Sequence, residues 1–445
     1  MNLKYKLNDA HDGLIVTGDK NFEGELVIPS EYEIEGKIYP VTEIGEEAFC
    51  HSKLTSVIIP KTVTKIRVLG FGLCKKLQSI VIPDSLTTIE DRAFLGCSGL
   101  TTIHIPALVT FIHPWALVNC DNITTIIVDI ENKMYDSRNN CNAIIETGTN
   151  TLVIGGNASF IPNSILKIGK DAFRGRSNLS FIIIPDSVTE IDDSAFYDCD
   201  NLASIIIPRS VVAIGRHAFS RCSNITSVEI PDSLVRIEES AFSGCSNLSS
   251  IVVNKDNYTY DSRDNCNAII ETATNTLVVG CANTIIPDSV VKIGSDAFLN
   301  CENLSSITIS DSVTEIESWA FMWCSNLKSV VISNNVKKIG MGAFLGCRNL
   351  KSVSIPHCVT SIGERAFEDC SNLSSIIIPD SVKNIGKCAF RGCNKLYQII
   401  IQDASLLKNT CANCDTKKEK TDLSFFERLL GNGTTTKQNE YKKKE

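Results

Sequence analysis

Residues 201–223 read Asn-Leu-Ala-Ser-Ile-Ile-Ile-Pro-Arg-Ser-Val-Val-Ala-Ile-Gly-Arg-His-Ala-Phe-Ser-Arg-Cys-Ser, and this stretch decides the fold. Leu202, Ile205 and Ile207 are spaced L-x-x-I-x-I. Ile205 and Ile207 are two apart, so they share one face of a strand. Pro208 has no N–H to donate, so the strand is expected to end there. Val211 and Ile214 form a second apolar segment, Gly215 permits a tight bend, and Ala218 and Phe219 fill the core where the chain returns.

The Ala-Phe pair recurs along the chain. Its aromatic or Leu member falls at Phe49, Phe71, Phe94, Leu117, Phe173, Phe196, Phe219, Phe242, Phe298, Phe321, Phe344, Phe367 and Phe390. The steps are 22 or 23 residues except for two steps of 56, so two of the thirteen units are followed by 33 extra residues. A shared period excludes the three unrelated domains that a length of 445 suggests. A unit this small cannot bury its apolar face alone, whereas stacked units share a continuous core. The expected fold is mainly β, a solenoid of about 13 regular 23-residue coils, with short turn or 3-10 segments on the return side and caps at both ends.

The unit I-P-x-S-V-x-x-I-G-x-x-A-F-x-x-C resembles the BspA-like leucine-rich repeat family, over about residues 22–401. The resemblance implies a right-handed leucine-rich-repeat solenoid. It also implies a binding or adhesion role at the surface of a host-associated bacterium, with no conserved catalytic site.

The 33-residue additions, near 129–161 and 254–286, are near-duplicates offset by 125 residues. Each holds Ala-Ile-Ile-Glu-Thr, a polar turn and Thr-Leu-Val, which predicts a β-hairpin. Residues 1–41 carry strand-like runs and are expected to cap the solenoid of residues 42–401. Residues 402–431 are expected to form a C-terminal cap with a short helix from Asp422 to Gly431, and 432–445 a disordered tail.

A net charge of −8 argues against a nucleic-acid partner and against docking on an anionic membrane. Of the 19 cysteines, eleven lie three residues after the anchor: Cys74, Cys97, Cys120, Cys199, Cys222, Cys245, Cys301, Cys324, Cys347, Cys370 and Cys393. One per coil in register predicts a buried packing column rather than a disulfide framework. Cys141 and Cys266 share one place in the two insertions and are read as structural. Cys411 and Cys414 form a lone C-x-x-C, which leaves a metal or redox protein as an alternative. The polar runs Asp136–Asn142 and Asp261–Asn267 lack the alternation of a calcium loop and read as Asx-rich turns. No histidine pair has ligand spacing, and no hydrolase or phosphate-loop motif is present. The chain is therefore expected to be neither an enzyme nor a cofactor or metal protein.

The position between the two inward residues of each L-x-x-I-x-I faces solvent. Down the stack it reads Ile58, Val81, His104, Ile127, Ile183, Ile206, Glu229, Val252, Thr308, Val331, Ser354, Ile377 and Ile400. The column two residues earlier is mostly Ser or Thr and is interrupted by Phe181. β-Propensity alone accounts for branched residues in a strand. An extended apolar surface is also the mark of a protein-binding face. Trp115 and Trp319 precede Ala in the anchor, either as exposed contacts or lying flat on the next coil.

The resulting expectation is a monomeric, non-catalytic protein-binding solenoid that acts in adhesion or host interaction, with no membrane insertion. An intracellular scaffold or effector with a cytosolic partner is the alternative. Met1–Lys6 has no apolar h-region, so no signal peptide is expected there, although the resemblance implies a secreted or surface location.

Overall fold

The computed structural model describes residues 3–396 and the backbone of the strand Gln398–Ile401. The expected C-terminal cap helix, Cys411, Cys414 and the tail lie outside the described residues. The chain is mainly β, a solenoid of about 16 turns at about 23-residue spacing. Two compact units are distinguished. The first runs through Ile225 and takes in Ser233–Phe242, and the second takes Thr226–Asp232 and continues from Ser243.

In the first unit, Leu14–Val16, Lys37–Ile44, Lys65–Ile66, Thr88–Ile89 and Phe111–Ile112 form one parallel ladder, with Tyr5–Leu7 antiparallel at its start. A second ladder begins at the first insertion. Tyr135–Asp136, Ala143–Glu146 and Thr151–Gly155 pair antiparallel, as the hairpin pattern predicts. Lys167–Ile168, Glu190–Ile191, Ala213–Ile214 and Arg236–Ile237 then follow in parallel. Tyr135 closes the first ladder: its hydroxyl accepts the N–H of Ile112 at 3.3 Å, where the next coil would have offered a carbonyl. The second unit repeats the plan, from the hairpin of Tyr260–Asp261, Ala268–Glu271 and Thr276–Gly280 to Asn384–Ile385.

The long ladders therefore run through the second apolar segment of each repeat and not through L-x-x-I-x-I. The latter pairs only in twos and threes, such as Thr102–Ile105 with Thr125–Val128 in the first unit and Ser227–Ile230 with Ser250–Val253 in the second. Residues 181–184 and 204–207 form no strand, which corrects the reading of the repeat at 201–223. Ile182, Ile184, Ile205 and Ile207 are nevertheless buried. Alternation records which side chains leave water, whereas pairing also needs neighbouring backbones at hydrogen-bonding distance.

The return side has its own ladder. Residues two before and two after the anchor are left-handed in most coils, as at Leu69 (φ 54°) and Leu73 (φ 59°). This alternation turns successive donors toward the following coil: Leu69, Phe71 and Leu73 donate to the carbonyls of Asp91, Ala93 and Leu95. In the second unit Trp319, Phe321 and Trp323 do the same to Met341, Ala343 and Leu345. A non-glycine left-handed residue costs about 1 kcal/mol or more, which the hydrogen bonds and the stacked anchors offset. Anchor rings stack at 5.1–5.3 Å from Phe173 to Phe242, and at 4.8–5.7 Å from Phe298 to Phe390.

The cysteine column has a specific task here. Thiols along the column donate to the carbonyl of the preceding coil's anchor: Cys97 to Phe71 at 3.1 Å, Cys222 to Phe196 at 3.0 Å, Cys347 to Phe321 at 3.2 Å. A small side chain with a weak donor both fills the space and satisfies an interior acceptor. All seventeen described cysteines are free, and only Cys358 is exposed.

Candidate protein-binding face

In the first unit, Ile58, Val81, His104, Ile127, Phe181, Ile183 and Ile206 are all exposed. Ile58 pairs in register with Val81, and His104 with Ile127. Val27 extends this column, since Glu23–Val27 pairs parallel to Lys53–Ile58 and sets Val27 beside Ile58. Sequence reading missed it because the segment has no anchor behind it, although Leu26-Val27-Ile28-Pro29 carries the strand half of the repeat. The most exposed members are Ile206 at 76% and Ile183 at 68%, with Phe181 beside them at 56%. They lie on the two coils whose L-x-x-I-x-I segments form no strand.

In the second unit the column alternates in character. Glu229 pairs with Val252, Thr308 with Val331, and Ser354 with Ile377, all with exposed side chains. Ile400 follows Ile377 in register by its backbone. The apolar character of the face thus concentrates in the first unit.

Other polar candidates are used within the structure. Arg138 binds both carboxylate oxygens of Asp136 at 2.6–3.1 Å and reaches Asn150 Oδ1 at 2.7 Å, so the Asp136–Asn142 run is a braced turn. This pairing raises the pKa of Arg138. Its duplicate pairs Arg263 with Asp261 and Asn275. Trp115 lies between the guanidiniums of Arg92 and Arg174, at 4.9 and 5.0 Å. Trp319 and Trp323 lie flat over Gly342 and Gly346, where a Cβ would come within 2.6 and 2.4 Å of the indole rings. Burial pushes the Cys120 thiol up to about 11 and the Cys301 thiol up to about 12, which makes these two poor nucleophiles. Among the described residues no cluster of three His, Cys, Asp or Glu is placed to hold a metal, and no helix is long and apolar enough to cross a membrane.

A family model, the BspA type leucine rich repeat region in six copies, matches residues 40–152, 156–269 and 279–418. The chain belongs to the BspA-type leucine-rich repeat family. Among solved structures, the BspA-type chain is similar to a leucine rich cell surface protein of Faecalibacterium prausnitzii, with 28% identity over 92% of this chain and 96% of the other, at a TM-score of 0.49. A leucine-rich repeat protein of Bacteroides ovatus is 25% identical over 90% and 93% of the two chains, at a TM-score of 0.39. The pneumococcal vaccine antigen PcpA is 16% identical over 90% and 84%, at 0.37. Among curated proteins, none matches.

Proposed function

We propose that this BspA-type solenoid is a non-catalytic binding protein that engages a protein partner in adhesion through the strand-lined face. The carrying observation is the exposed apolar column of the first unit, centred on Phe181, Ile183 and Ile206. Soluble surfaces rarely leave such residues contiguous unless something covers them. Weak contacts repeated on successive coils add up to a useful affinity without any single deep pocket.

The test is the double variant Ile183→Glu and Ile206→Glu. Both side chains already face water, so circular dichroism and the melting temperature are expected to stay unchanged. Covering an isoleucine is worth about 1.5–3 kcal/mol, so affinity for a partner isolated with the wild-type chain should fall about a hundredfold. Unchanged affinity with an intact fold would sink the assignment of this face.

A further inference from the structure

The first insertion borders a groove of about 470 Å³, within the range of small-molecule sites. Pro114 and Val153 line it with apolar surface, Thr151 brings a hydroxyl, Thr149 brings one that already donates to Glu146 and keeps its acceptor side, and Lys167, Lys170 and Asp192 bring charge. The Pro114 wall is rigid. It starts a 3-10 turn in which the His113 ring accepts the N–H of Trp115 at 3.2 Å, and Trp115 is itself clamped by Arg92 and Arg174. Lys167 is committed to Asp192 at 2.7 Å and to Glu190 at 3.4 Å. Lys170 is exposed and has no ion pair among the described residues.

A cation without an ion pair among the described residues, hydroxyls on one side and a stiff apolar wall on the other suit a sugar that carries an acid group. We infer that this groove takes a carboxylated pyranose, such as a uronic or sialic acid residue at the end of a glycan. The apolar ring of Pro114 with Val153 receives the C–H face of the sugar. The carboxylate meets Lys170, and Thr149, Thr151 and Asp192 serve the ring hydroxyls. The duplicate insertion is a natural control. At the same 125-residue offset it keeps Val278 for Val153 but has Glu239 for Pro114 and Ser295 for Lys170, which removes the rigid half of the apolar wall and the cation.

The experiment titrates the full chain with glucuronate, N-acetylneuraminate, glucose and acetate, read by ligand-observed NMR and calorimetry. At least one sugar acid is expected to bind in the millimolar range, and the tighter of the two identifies the source. Glucose and acetate, each with half of the chemistry, should bind about tenfold more weakly. Lys170→Ser should cost about tenfold with an unchanged melting temperature. Failure of both sugar acids to bind, equal binding of acetate, or wild-type affinity in Lys170→Ser would each overturn the assignment. The Ile183→Glu and Ile206→Glu variant should bind the sugar acid normally, so this site and the protein-binding face stand or fall separately.

Discussion

The two insertions are the same device filled in two ways. Their polar frames match closely. Val128 and Val253 donate to Ser137 and Ser262 at 3.1 and 2.9 Å, and both hairpins carry a bulge at the same place, Ile144/Ile145 and Ile269/Ile270. Their fillings differ. In the first, the cysteine-column position is Arg176, fully buried, with Nε donating to Gly155 O at 2.7 Å beside the side-chain-free Gly156. In the second, the equivalent residues are Cys301 and Cys281, and Cys281 donates to Asn267 O at 3.3 Å. Burial pushes the Arg176 guanidinium pKa down, with the Asp121 carboxylate opposing, and with no ion pair among the described residues its hydrogen bonds go to carbonyls. The lesson is that the hydrogen-bonded frame of the hairpin sets the fold, while the space behind it accepts any filling that satisfies the same backbone acceptors.

The largest expected effect tests what the two regions share. A Cβ on Gly155 or Gly280 would lie 2.1 Å from the anchor ring of Phe173 or Phe298, and stacking leaves those rings no room to move. Gly155→Ala and Gly280→Ala should each cost about 3 kcal/mol in chemical denaturation. A tolerated alanine at only one site would break the equivalence.

The next effect tests the exchange of filling. Arg176→Cys alone should cost about 2 kcal/mol, since it leaves a void over Gly156. Adding Gly156→Cys, which rebuilds the pair found in the second insertion, should restore most of the denaturation midpoint. A double variant no better than the single one would show that the regions are not interchangeable.

Alkaline titration sharpens the contrast further. An unfolded thiol ionises near about 8.5, whereas burial, with Cys281 nearby, raises Cys301 to about 12. The folded state therefore keeps its proton longer. The stability this provides is complete below about 8.5 and is lost as pH climbs toward about 12, by about 1.4 kcal/mol per pH unit for each such thiol. The second insertion, with two thiols where the first has Gly156 and Arg176, should show the steeper alkaline loss when local protection is followed by hydrogen exchange. The smallest effect is again a shared one. Arg138→Ala and Arg263→Ala should each cost about 1 kcal/mol and by equal amounts, because each removes a half-buried bidentate pair.

Much of this was legible in advance. The repeat length, the inward residues, the anchors and both hairpins follow from periodicity, because apolar spacing must match the geometry that buries it. Arg176 was also visible, as the one basic residue in a column otherwise of cysteine or Ser52, yet composition alone does not say whether such a residue is buried. The column around Ile206 was read correctly for side-chain exposure but wrongly for strand pairing, since residues 204–207 form none.

By itself, the amino-acid order determined that this chain is a stack of 23-residue coils with two matching insertions, because no single unit can bury its own apolar face. Only the tertiary structure decided which segment carries the long ladders, that anchor turns alternate between right- and left-handed backbone, and that thiols such as Cys97 and Cys347 serve the carbonyl of the preceding coil's anchor. Those features depend on how one coil's backbone meets the next, at distances that a one-dimensional pattern of polar and apolar residues does not encode.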